Sequence, residues 1–238
     1  MELLTVIGIV GVLAALIFPV LGRARGAAYS AACMGNLRQM QTAYTMYLAD
    51  NEGRFFTWSD GNVNGKELLY YGLSSKGAEG AREIDKSKAK LAPYLGQIGG
   101  VEICPSLPYR APYFKQKYEI ASYGYGINGN LLANGPGGKY CSISQVMRPS
   151  QTIAWGDAIQ INTFQPPASP KNPMLEEFYW FDIVGSPKFH FRHNGRCNVV
   201  MMDGSVRSFR PDRLDPRCDG LSGYIEPPGQ DYYLRLVK

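Results

Sequence analysis

The sequence has no Cys-X-X-Cys pair, only two histidines, and no block of Lys or Arg interleaved with aromatic residues. The first two absences argue against a structural zinc site, which needs about four N or S donors and usually takes them from closely spaced pairs. The third argues against a nucleic-acid surface, and the formal net charge of +5 comes from dispersed residues, so nucleic acid is not an expected partner. P-loop, His-Glu-X-X-His, Ser-His-Asp and paired-carboxylate signatures are lacking too. Nothing therefore points to an enzyme, and no cofactor is implied. The Asn-X-Ser/Thr sequon is missing as well, so Asn-linked glycan is not indicated.

What is abundant has a different character. Gly (27), Pro (16) and Tyr (16) are plentiful, which suits a loop-rich, half-buried β domain. From Leu3 to Leu21 there are nineteen residues without a charge, a helix of roughly 28 Å, close to the hydrocarbon thickness of a bilayer. Glu2 stands directly before this run, Gly8 and Gly11 weaken the helix, and Pro19 removes a backbone donor inside it. After Arg23 and Arg25 comes an alanine-rich stretch, and then Leu37, Met40, Tyr44, Tyr47 and Leu48 form one amphipathic stripe. Arg38, Gln39, Gln41 and Thr42 lie off it. The helix should end near Asp50-Asn51-Glu52-Gly53, after a length on the order of 75 Å.

A cleaved signal peptide would need a basic residue before the run, and the helical pattern continues past any cleavage point. A plain membrane anchor would place the head on the side of Arg23 and Arg25, unless a basic leader preceded Met1 and was removed. Residues 54–238 read as short strands broken by turns, with expected strands at Glu119–Tyr125, Thr152–Asp157, Phe178–Val184, Arg196–Met202 and Ser205–Arg210, and a short helix over Lys86–Leu95 cut at Pro93. The fold class is thus α+β: a long N-terminal helix (residues 1–53) packed by its second half on an antiparallel sheet of a β-rich head (residues 54–238).

Asp203-Gly204 between two β-prone runs predicts a hairpin with a type I′ turn. His193 lies at the far end of that strand, on the order of 30 Å away when extended, so His193 and Asp203 are not an acid–base pair. Their expected role is structural. His190 is the residue that could join His193 at a metal. Asp157, Asp182, Asp212, Asp215 and Asp219 are oxygen donors in or near loops, but none sits in a calcium-loop spacing.

The segment E-L-L-T-V-I-G-I-V-G-V-L-A-A-L-I-F-P resembles the N-terminus of type IV pilins and type II secretion pseudopilins: a lone glutamate, an apolar run and a proline, here Glu2, Gly11 and Pro19 at the matching places. F-R-H-N-G-R-C-N-V-V-M-M-D-G-S-V-R matches the C-terminal His-X9-Asp-Gly motif of pseudopilin-like proteins, with His193, Asp203 and Gly204 in register. Cys104-Pro105-Ser106, Ser122–Asn128 and Pro149–Asp157 are weaker matches. At the front the sequence departs from the pattern, which starts a few residues earlier with a methylated Phe after a short basic leader.

The resemblance implies a pilin-like ladle that polymerises through its N-terminal helix into an extracellular filament. Its partners would be copies of itself, the inner membrane before assembly, the prepilin peptidase and the pilus assembly machinery. Glu2 would neutralise the N-terminal amine of a neighbouring subunit, and since several pseudopilins bind calcium in the head, the resemblance makes a structural calcium held by some of the loop aspartates a further expectation. A type II secretion pseudopilin forming a short periplasmic fibre and a membrane-anchored binding protein are the alternatives. In an exported chain the five cysteines suggest disulfides. Cys33–Cys104 is the favoured pair because it would tie the helix to the head, and a second bridge would come from Cys141, Cys197 and Cys218, with Cys197–Cys218 one of the pairings open.

Overall fold

The computed structural model describes residues 2–96, 100–134, 141–181, 188–227 and 232–236. Helix α1 runs from Glu2 to Asp50. It closes where the turn formers begin: Glu52 and Gly53 take positive φ (56° and 74°) and the Gly53 N–H donates to the Leu48 carbonyl at 2.7 Å. Such a left-handed ending satisfies carbonyls that the last helical turn leaves free. The backbone of the isolated chain stays helical through Gly11 and Pro19.

The second half of α1 is docked by side chains spaced four, three, four and four apart. Cys33, Leu37, Met40, Tyr44 and Leu48 are buried, one stripe of a 3.6-residue period. Tyr47 lies half-buried at its edge. Gln41, expected off the stripe, is buried as well. The helix sits deep enough to enclose it, and its Nε2 donates to the Met202 carbonyl at 3.0 Å.

The helix rests on a five-stranded sheet composed of β1 (Tyr125–Asn128), β2 (Ile153–Asp157), β3 (Trp180–Phe181), β4 (Cys197–Met201) and β5 (Val206–Phe209). The spatial order is β5-β4-β2-β1-β3. All neighbours are antiparallel except β1 and β3, so the sheet is mixed rather than wholly antiparallel. Every residue of β1, β2 and β4 is buried. One face carries α1, and the other carries a layer of Phe181, Phe189, Phe191, Val199, Met201 and Leu234. Central strands covered on both faces read as continuous apolar runs rather than alternating ones.

A register shift in β2 sets the direction of its side chains. Val200 opposes Trp155 while Met201 opposes Ile153, so Ala154 is an extra residue in the ladder. Ile153 accordingly joins the phenylalanine layer, whereas Trp155 packs with α1 and meets Tyr44 edge-on at 5.9 Å. Gly156 lies where a Cβ would come within 2.8 Å of Val199 Cγ1.

The hairpin between β4 and β5 forms, but not with the expected turn. Gly204 N–H donates to Met201 O at 2.9 Å and Met201 N–H to Ser205 O at 2.8 Å, and of Asp203 and Gly204 only the glycine has positive φ (85°). The loop holds three residues, so a type I turn followed by one left-handed residue suffices. The type I′ turn lies at the other end of β4. There Asn194 and Gly195 both have positive φ (52° and 73°), and His193 and Arg196 exchange two backbone hydrogen bonds of 3.0 Å.

Other elements differ more from expectation. Residues 119–124 are not a strand; β1 begins at Tyr125. Of Phe178–Val184, β3 keeps two residues, and 182–184 lie outside the described residues. The expected helix over Lys86–Leu95 divides into 3-10 turns at Lys86–Lys88 and Ala92–Tyr94, the second containing Pro93. A small antiparallel sheet over Ser59–Asp85 carries too few apolar residues to announce itself.

Because Tyr44 fills the helix–sheet seam and its hydroxyl donates to the Leu131 carbonyl at 2.9 Å, Tyr44→Ala is expected to cost about 3–5 kcal/mol. Urea denaturation of the full chain in detergent measures this. Gln39→Ala, on the exposed side, should stay within about 0.5 kcal/mol of the parent.

Candidate functional site

Two regions are set apart by their chemistry. The first is the undocked half of α1. Val6, Ile7, Ile9, Val12, Leu13, Leu16, Ile17, Phe18, Val20 and Leu21 are 52–72% exposed. They include adjacent residues, so they surround the helix instead of marking one face. A helix apolar all round is normally enclosed by other helices or by lipid, and α1 is long and apolar enough to cross a membrane, with none of its apolar window buried. Gly11 has open space around it. The side chains of Glu2 and Pro19 lie outside the described residues.

The second region is buried where α1 meets the sheet. Cys33 from the helix, Cys104 from a loop, Asp157 from the end of β2 and His193 from the turn before β4 place one donor atom each so that all four lie within 4.8 Å of one another. Each has a local cause. Cys33 is on the docked stripe. The register shift aims Asp157 at the helix, and the type I′ turn at Asn194-Gly195 fixes His193. Cys104 can approach because residue 124 is glycine; a Cβ there would stand 2.8 Å from the Cys104 amide nitrogen.

His193 Nε2 lies 3.4 Å from Cys104 Sγ and 3.2 Å from Asp157 Oδ2. Cys33 Sγ lies 3.5 Å from Asp157 Oδ1. Arg192 clamps Oδ1 through Nε (3.0 Å) and Nη2 (2.7 Å) and anchors itself by donating to Gly124 O at 2.6 Å. The Asn198 N–H donates to Oδ2 at 2.8 Å, and its side-chain amide donates to Ser30 Oγ on α1 at 3.0 Å.

These contacts move protons. Burial raises the Asp157 carboxyl, but the Arg192 charge and the hydrogen bonds from His193 and Asn198 hold it well below the usual carboxylate range. Burial likewise opposes ionisation of Cys104, yet the Cys33 hydrogen bond, Arg192 and His193 bring it down to about 6. Cys33 moves far upward through burial, its hydrogen bond to Cys104 and the Asp157 charge. Burial alone would lower His193, while Asp157 and Cys104 carry it up to about 9.

The arrangement is not that of a catalytic triad. A triad base uses one ring nitrogen for the nucleophile and the other for its orienting carboxylate. Here Cys104 and Asp157 meet the same nitrogen, and Nδ1 has no protein partner. Two clefts of about 430 and 250 Å3 open near Trp58, Tyr71, Arg82 and Tyr118, and neither is lined by the four donors.

The expected bridges are not formed: all five cysteines are free. Cys33 and Cys104 do come together, but as two of four donors. Cys197 is buried and Cys218 half-buried, the Cys197 thiol facing the Asp157 carbonyl at 3.7 Å. His190 does not join His193; its Nε2 pairs with Asp219 Oδ2 at 2.9 Å. Asp203 only caps its turn, accepting from Ser205 N (2.9 Å) and Oγ (2.6 Å). As for the calcium candidates, Asp157 faces Arg192, Asp215 pairs with Arg217 and Asp219 with His190. Asp212 is exposed and Asp182 lies outside the described residues. Among the described residues the Cys33, Cys104, Asp157 and His193 group alone gathers at least three such donors.

Close spacing along the chain proves unnecessary for grouping such donors, because these four come from four distant segments. Arg192 was missed, although it stands beside His193 in Phe-Arg-His-Asn-Gly. The other available signal was Asp157, a charge ending an apolar strand, which needs a buried partner. Comparison with protein-family models, with curated proteins and with solved structures gives no match.

Removing Arg192 leaves a buried charge without its counter-ion. Arg192→Met is expected to destabilise the full chain by about 3–5 kcal/mol. The double variant Arg192→Met/Asp157→Leu should lose less than Arg192→Met alone, as read by denaturant midpoints with all proteins held in chelator and reductant.

Proposed function

We propose that this chain is a structural, non-enzymatic subunit of an extracellular filament of the type IV pilin or pseudopilin kind, and that its N-terminal helix drives polymerisation. The observation that carries the reading is the division of α1. From Cys33 onward the helix belongs to the core of the head, while Val6–Leu21 offers large apolar side chains on every side.

Such a half-helix has two suitable surroundings, a bilayer and a bundle of identical helices. Both are comparably apolar, so a subunit passes from one to the other without a large solvation change. In the inner membrane the segment anchors the chain before assembly, where the prepilin peptidase and the assembly machinery act on it. In the filament it lines the axis, and the heads form the surface. Glu2 supplies the register: a carboxylate in an apolar bundle costs several kcal/mol unpaired, and only one axial stagger brings it to the amine of the next subunit. Gly11 and Pro19 mark where the helix can lose hydrogen bonds and stretch in the assembled state, since Pro19 has no N–H to donate.

Electron microscopy of material sheared from cells tests the reading: fibres built of this chain are expected. Glu2→Ala should slow or block assembly while the head stays folded, and normal fibres from that variant would remove the register argument. Leu13→Asp adds about 3–4 kcal/mol to membrane insertion at a helix centre, so the variant should yield neither fibres nor membrane-held subunit. Lost secretion without surface fibres on deletion would indicate the short periplasmic pseudopilin fibre. Only monomers in detergent would indicate an anchored binding protein.

A further inference from the structure

We infer that Cys33, Cys104, Asp157 and His193 bind one Zn2+ ion, which staples the long helix to the head. The inference is independent of what the chain assembles into.

The four donors are gathered closely enough to share one tetrahedral ion. With Zn–S of about 2.3 Å and Zn–N or Zn–O of about 2.0–2.1 Å, the edges of a regular tetrahedron are about 3.5 Å between sulfur and nitrogen or oxygen, and about 3.3 Å between nitrogen and oxygen. The structure has 3.4 Å for Cys104 Sγ to His193 Nε2 and 3.2 Å for His193 Nε2 to Asp157 Oδ2, while Cys33 Sγ lies 3.5 Å from the other oxygen of that carboxylate, Oδ1. The two edges that meet at His193 Nε2 thus match a coordination shell with Oδ2 as the carboxylate ligand, and all four residues offer a donor within 4.8 Å of the others. Two sulfurs, one imidazole and one carboxylate favour zinc over calcium or magnesium, which take oxygen ligands.

Charge and support both fit. Zn2+ with two thiolates is neutral, and Asp157 with Arg192 is neutral, so the filled cluster buries no net charge. Both cysteines bind as thiolates and His193 binds as a neutral imidazole through Nε2, with its remaining proton on Nδ1. Arg192 and the Asn198 N–H hold the carboxylate from behind, as outer groups do around metal-ligating carboxylates. All four donors belong to buried residues, and none is left open for a substrate. The site is a closed, structural one.

A disulfide is the competing chemistry, since it would join the same two sulfurs. It would use half of the donor set and leave His193 Nε2 directed at a sulfur with no further role.

The test uses the full chain, made in a zinc-replete host and purified in detergent without chelator. Metal analysis is expected to return one zinc per chain, retained in Cys218→Ser and lost in Cys33→Ser and Cys104→Ser. Replacement with Co2+ should give the intense visible bands of a tetrahedral site with a near-ultraviolet thiolate charge-transfer band. If the serine variants do not fold, the Co2+ spectrum of the parent chain decides, since it needs no variant. A parent chain that holds no zinc and shows no such spectrum after reconstitution under reductant overturns the inference. So does a Cys33–Cys104 disulfide found by peptide mass spectrometry in protein taken from cells before any reductant is added.

Discussion

A carboxylate with no solvent exposure, Asp157 at the end of β2, is the constraint around which the helix–sheet junction is organised. An ionised group in that position is tolerated only when its lone pairs are met. The chain meets them from several directions: Arg192 on one oxygen, the Asn198 N–H and His193 on the other, and the Cys33 thiol from the helix. Each partner is delivered by a separate local device. These are the extra residue at Ala154, the left-handed pair Asn194-Gly195 and the side-chain-free approach at Gly124. The His-X9-Asp-Gly signature thereby divides into two parts. His193 belongs to the buried junction, and Asp203-Gly204 serves only the hairpin.

Much of the architecture was legible in the sequence. The stripe of Leu37, Met40, Tyr44 and Leu48 named the docked face of α1, and the turn formers at Asn51–Gly53 named its end. Thr152–Asp157 and Arg196–Met202 located two central strands to within a residue or two, because buried strands are continuous apolar runs, and Asp203-Gly204 placed the edge strand within Ser205–Arg210. The weakly patterned elements were lost. Two-residue β3 and the polar strands between Ser59 and Asp85 are held by pairing and not by a hydrophobic period, so no periodicity could report them.

The junction was less legible, for a topological reason. Metal and catalytic motifs are recognisable when ligands are close along the chain; here they are drawn from positions 33, 104, 157 and 193. Pairing Cys33 with Cys104 captured the proximity and missed the chemistry, since Asp157 and His193 share the same space. Gln41 shows the same limit at smaller scale. A polar residue beside an apolar stripe reads as exposed until a carbonyl, here that of Met202, is found waiting for it.

The rungs at 33, 37, 40, 44 and 48 also have a mechanical consequence. They run along the helix axis, and the strands beneath them are tied laterally by their own ladders. A pull on the head parallel to α1 loads these contacts side by side, in shear, and not one after another from an end. Contacts stressed together must yield together, whereas contacts peeled in series yield singly. The junction between head and helix is thus strongest along the long axis of the molecule and weakest to a force that lifts Asp50 away from the sheet.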